Sequence, residues 1–147
     1  AVIVVSAPDG VEVQTRRVYA EAKRLGLPVV FFVNKMDRER ADHEQCLTEI
    51  EESFGVKPVP LQVPIGLESD FKGVVSLFQK KALVYEMDGS GKREIMDVPD
   101  EVQTESESNW ERVIECVAET DENLLEEYLE HTLSYQNNHT YLFLLQG

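Results

Sequence analysis

Two apolar runs that never alternate with polar residues constrain this chain more than any other feature: Val2, Ile3, Val4 and Val5, then Val29, Val30, Phe31, Phe32 and Val33. A strand with one wet face carries a polar residue at every second position. A strand covered on both faces reads as a continuous β-branched or aromatic run. Both runs are therefore expected to be parallel strands buried on both sides. Parallel neighbours need a crossover, usually a helix. Between residues 12 and 25, Val13, Val18, Ala22 and Leu25 fall roughly at helical spacing, and Gly26 marks a stop. Within residues 41–54, Leu47, Ile50 and Phe54 recur at the same spacing, and Gly55 closes that helix. Strand, helix, strand, helix is half of an α/β sheet.

The pattern changes after Pro58. Residues 59–65 and 73–85 read as strands, Asp88, Gly89, Ser90 and Gly91 as a turn, and residues 94–98 as a returning strand. Trp110, Val113, Ile114 and Val117 mark one amphipathic helix. Thr120 and Asp121 are placed to cap another, carrying Leu124, Leu125, Tyr128 and Leu129. The expected organisation is an α/β part at 1–58, a small α+β unit at 59–131 and a divergent tail at 132–147. That tail holds a short apolar run at 141–145 which fits one more strand or a disordered end. The chain opens directly on a strand without an initiator Met, from which we expect further sequence upstream.

Charge divides along the same line. Residues 1–58 carry 8 basic and 10 acidic side chains (8 − 10 = −2), and residues 59–147 carry 6 and 18 (6 − 18 = −12), for a net −14. A phosphate backbone is a poor direct partner for such a surface, since nucleic-acid affinity rests on basic contacts. A basic protein is a better one; a solvated acidic face is the plainer alternative. Cys46 and Cys116 stand far apart without metal or redox spacing, so free thiols in a reducing compartment are expected. No apolar window reaches the about 18 residues of a membrane span.

The chemistry concentrates at Asn34, Lys35, Met36 and Asp37, where a parallel strand delivers its C-terminal end and open α/β sheets bind ligands. A carboxylate at Asp37 can accept two hydrogen bonds from the ring N–H and exocyclic amine of guanine. Adenine lacks that paired donor edge and would leave the carboxylate partly unpaired, at a cost of about 1–3 kcal/mol. Asn34 can meet the carbonyl side of the base or tie the loop together, and the Lys35 stem can lie over the ring. A strand end followed by Asp37 as a helix cap is the plainer alternative.

Longer motifs narrow the choice. Residues 4–16 (Val-Val-Ser-Ala-Pro-Asp-Gly-Val-Glu-Val-Gln-Thr-Arg), Gly26-Leu27-Pro28, and Asn34-Lys35-Met36-Asp37-Arg38 together resemble bacterial elongation factor G, a translational GTPase. Residues 60–66 and 71–75 are similar to the start of that family's inserted G′ subdomain, as are 117–121 and 124–130. The resemblance covers about residues 1–130. It departs at Pro8, His43 and Ser76, and stops after Glu130.

The resemblance implies an incomplete P-loop-GTPase-type parallel sheet followed by a G′ unit. It also implies a cytoplasmic parent that uses GTP with Mg²⁺ on the ribosome to drive translocation of tRNA and mRNA. Asn34, Lys35 and Asp37 would read guanine. Glu115, Glu119, Glu122, Glu126 and Glu127 would face the basic C-terminal domain of the ribosomal stalk protein. The family's phosphate-binding loop and water-positioning histidine lie upstream of Ala1, so no catalytic or metal-binding residue is assigned; by itself the chain is expected not to hydrolyse GTP and to bind it weakly. His43, His131 and His139 are expected at the surface. Ser90-Gly91-Lys92 is followed by Arg93 instead of Ser or Thr and fits a hairpin turn better than a phosphate loop. Two further readings stay open: a non-catalytic module that docks stalk protein, and a half-domain that self-associates through its sheet edge.

Overall fold

The computed structural model describes residues 1–86, 88–120 and 122–129. They divide between two compact units. The first comprises Ala1–Pro58, Pro64–Val74 and Leu83–Glu94. It opens with β1 (Val2–Ser6), α1 (Val13–Arg24), β2 (Val30–Asn34) and α2 (His43–Phe54). β1 and β2 pair in parallel, with Val2 opposite Val30 and Ser6 opposite Asn34. Both strands, both helices and the crossover lie where the residue pattern predicts.

Burial on both faces is where expectation and structure part. Ile3 and Val5 are buried, but Val2 is 71% exposed, Val4 58%, Val30 53% and Phe32 52%. Side chains alternate across a strand. The inward set packs into a cluster of Val5, Cys46 and Ile50, joined by Phe31, Val33 and Phe54. The outward set stays open among the described residues, so the apolar run is continuous although only one side of it is covered.

Helix α1 also presents a different stripe from the one expected. Val13, Val18 and Leu25 are exposed, while Thr15 and Ala22 are buried and Tyr19 is half-buried between them. The Tyr19 ring stacks on Phe54 with centroids 4.0 Å apart and on Phe31 at 5.9 Å. An aromatic ring buries far more area than a valine. With aromatic partners waiting on β2 and α2, Tyr19 sets the rotation of the helix. In α2, Asp42 Oδ1 accepts from the Gln45 amide at 2.9 Å and Gly55 stops the helix at φ 62°. Burial pushes the Cys46 thiol up to about 11, helped by Glu49 and Asp42, so it holds no thiolate at neutral pH. His43, in the first turn of α2, is largely buried, contrary to expectation: its side chain is 12% exposed.

Strands β3 (Gln62–Ile65), β4 (Gly73–Ser76), β5 (Lys81–Tyr85) and β6 (Arg93–Met96) form one sheet in that order. A short 3₁₀ turn at Glu68–Asp70 joins β3 to β4. The apolar stretch 73–85 is broken after Ser76 by a turn that holds Lys80 at φ 49°.

The second unit comprises Val59–Val63, Val75–Ala82 and the described part of Ile95–Gly147. Its main element is α3 (Asp100–Ala118), which buries Val102, Ser106, Trp110, Val113 and Ala118 along one stripe. Trp110 meets Phe78 edge-on at 6.0 Å, and Lys80 Nζ lies 5.3 Å from the Trp110 ring centroid. Burial lowers the Lys80 pKa. Helix α4 (Glu122–Leu129) packs against α3. The expected cap at Asp121, the tail 132–147 with its apolar run, His131 and His139 lie outside the described residues.

Candidate functional site

At the C-terminal ends of β1 and β2, two loops leave the sheet side by side. The Ala7 amide donates to the Asn34 carbonyl at 2.8 Å, which carries the strand pairing into the loops. Asn34 Oδ1 then accepts from the Lys35 amide at 2.8 Å. That bond holds the Asn34 side-chain oxygen against the start of the loop. Lys35 sits at φ 63°, a left-handed conformation that costs a non-glycine residue about 1–2 kcal/mol. Such strain persists where neighbouring contacts hold it.

Those contacts come from three directions. Met36 points inward and is buried with Ala7 and Ala41, with Val33 and Phe71 packed against them. Asp37, the next residue, points outward with its side chain 50% exposed and Oδ2 3.6 Å from Arg38 Nε. From the β3–β4 connection, the Glu68 amide donates to the Met36 carbonyl at 2.9 Å. Glu68 Oε1 accepts from the Arg40 amide at 2.6 Å. From the β1 loop, Asp9 Oδ2 lies 3.5 Å from Lys35 Nζ.

The β1 loop is itself pinned. Ser6 Oγ donates to Asp9 Oδ2 at 2.6 Å. That hydroxyl, assisted by Lys35, holds the Asp9 carboxyl below its ordinary value. Glu49 of α2 accepts from the Val11 amide at 2.7 Å and from Gln45 Nε2 at 2.8 Å. The Val11 amide is the main reason the Glu49 carboxyl is also lowered. Gly10 suits this turn: it adopts φ 68°, which L side chains rarely do, and a Cβ on it, 2.0 Å from Glu49 Oε2, would push that carboxylate aside.

Asn34, Lys35 and Asp37 therefore share one clamped loop, with a carboxylate facing solvent and a cation beside it. That is equipment for recognition. Among the described residues no group of three His, Cys, Asp or Glu side chains could hold a metal ion. Sequence reasoning assigned no role to Asp9, Glu49, Glu68 or Met36. The Asp-Gly pair at 9–10 was legible only as part of the 4–16 motif, and nothing local announces partners 26, 38 or 28 residues apart.

The acidic set lies on the helices of the second unit. Glu115 lies in the last turn of α3, Glu119 caps its C-terminal end, Glu122 and Glu126 belong to α4, and all four are exposed. The side chain of Glu127 is outside the described residues. No helix among the described residues is long and apolar enough to cross a membrane.

Comparison with known proteins places this geometry. Over residues 1–138, past the Glu130 limit of the motif resemblance, the chain matches the Elongation factor Tu GTP binding domain. It is similar to a protein of known crystal structure from Thermus thermophilus, with 35% sequence identity and a TM-score of 0.74. The match covers 86% of this chain and 18% of that one, so the chain spans less than a fifth of that relative's length. The chain belongs to the elongation factor Tu GTP-binding domain family, a family of translational GTPases. Its mixed α/β architecture is that of part of a P-loop GTPase domain.

Proposed function

We propose that residues 1–58 supply the base-reading part of a ribosome-dependent, cytoplasmic GTPase of the elongation factor G type. That protein promotes translocation of tRNA and mRNA and uses GTP with Mg²⁺. Asp37 accepts from the guanine ring N–H and amine, Lys35 covers the ring face, and Asn34 holds the loop shape. The observation that carries this reading is the split between adjacent residues: Met36 anchors the loop in the core while Asp37 stands half-exposed at the end of β2. Binding is selective because a wrong base leaves that carboxylate short of a donor.

With the base as its main contact, the chain alone binds nucleotide in about the millimolar range and does not hydrolyse it. In an NMR titration, GDP is expected to shift the Asn34, Lys35 and Asp37 amides at concentrations where ADP does not. Asp37→Asn lowers the GDP-over-ADP preference about tenfold or more, the equivalent of one charged hydrogen bond lost. Equal shifts by both nucleotides in the unsubstituted chain would sink the reading.

Residues 59–131 are proposed as a docking unit for the basic C-terminal domain of the ribosomal stalk protein, through Glu115, Glu119, Glu122, Glu126 and Glu127. The exposure of the first four supports this. Between about 0.1 M and about 1 M salt the screening length falls from about 10 Å to about 3 Å. Stalk-domain affinity should fall several-fold over that range; a salt-independent complex is incompatible with a contact of this kind. Self-association is the second reading of the chain in isolation, favoured by the open apolar face of β1 and β2.

A further inference from the structure

We propose that Asp9 is a positioning residue for the base-reading loop: its carboxylate, fixed by Ser6, steers the Lys35 side chain to the place where it covers a bound purine. The proposal rests on the reading of the Asn34–Asp37 loop as a guanine site. Asp9 Oδ2 accepts from Ser6 Oγ at 2.6 Å and lies 3.5 Å from Lys35 Nζ. A lysine has a long stem and many rotamers, and here 52% of its side chain is exposed. The Asn34 side chain fixes the Lys35 backbone through its amide and leaves the stem free. Asp9 is the acidic partner that the structure gives the Lys35 ammonium group.

Asp9 can serve as an anchor because its turn is closed on itself. The Asp9 and Gly10 amides donate to the Ser6 carbonyl at 3.2 and 2.8 Å. Just beyond, Val11 is clamped by Glu49 at 2.7 Å. Ser6 pairs with Asn34 in the strand register, so the anchor and the loop it steers are built on adjacent strand ends. The division of labour follows from chemistry. A purine face looks the same to a lysine stem whichever base carries it, whereas the donor edge read by Asp37 differs between guanine and adenine. Asp9 therefore governs how tightly a purine is held, and Asp37 governs which purine it is.

The test compares Asp9→Asn, Asp9→Glu and Asp37→Asn in the full chain, titrated with GDP and with ADP and followed by NMR. Asn keeps the shape of Asp and can still accept from Ser6, so the Asn variant removes the charge alone. Exposed ion pairs are worth little, and the expected result is a three- to fivefold weaker affinity, about equal for both nucleotides. Asp9→Glu should restore most of it. An Asp9→Asn chain that binds GDP as tightly as the parent, while Asp37→Asn still removes guanine preference, overturns the role of Asp9 alone. No effect of Asp37→Asn indicts the base-reading loop instead. Where nucleotide binding is too weak to follow, the Asp9 carboxyl titration without nucleotide decides. Lys35→Met should raise the Asp9 pKa, and an unchanged titration overturns the contact.

Discussion

Ile50→Ala is expected to remove about 2–5 kcal/mol, much of the stability of the first unit. Ile50 is 0% exposed and sits at the centre of a buried cluster with Val5 and Cys46, against which Val11, Phe31, Val33, Phe54 and Val56 pack, so its loss removes contacts to β1, β2 and α2 together. Truncation of a buried isoleucine to alanine costs about 2–5 kcal/mol, the upper end applying where the site cannot collapse. The margin is thin to begin with. Small domains have about 5–15 kcal/mol in hand, and a two-stranded sheet with one open face sits at the low end. Urea titration followed by far-UV circular dichroism reads the effect. A midpoint indistinguishable from the parent chain would show that this cluster is not what holds β1, β2 and α2 together.

The second large effect concerns the open face of the sheet. Val2, Val4, Val30 and Phe32 all project outward and are each more than half exposed. Contiguous apolar surface of this kind drives association, and the outer strand edges add unpaired backbone groups. Val4→Lys combined with Phe32→Lys should weaken self-association of the isolated chain by about a hundredfold, two burials of roughly 1.5 kcal/mol each. Sedimentation velocity over a concentration series measures this. If the parent chain is monomeric at about 100 μM, the face is quieter than its composition suggests. The inward cluster is untouched by these changes, so circular dichroism should be preserved.

Much of the first unit was readable from the sequence because its signals are local. Unalternating runs gave β1 and β2, and Gly26 and Gly55 gave the ends of α1 and α2. What was not readable depends on partners. The outward valines of β1 look identical to the inward ones in a continuous run, so the sequence alone cannot tell that one side lacks cover. In α1, counting valines pointed to the wrong stripe, because Tyr19 had Phe31 and Phe54 to stack upon and Val13 and Val18 had nothing comparable. At the site, Asn34, Lys35 and Asp37 were legible as a tetrapeptide with a chemical rationale. The roles of Asp9, Glu49 and Glu68 were not, because each acts on a loop far away in the chain.

The aromatic residues divide between the two units in a way that gives one of them its own optical reporter. The single tryptophan, Trp110, lies in the second unit against Phe78. The stacked Tyr19, Phe31 and Phe54 lie in the first. Fluorescence excited at the indole band therefore watches the second unit, whereas far-ultraviolet circular dichroism follows the helices and strands of both. Denaturation curves recorded by both methods on one sample reveal whether the halves melt as a single cooperative body or in succession, without any label being introduced.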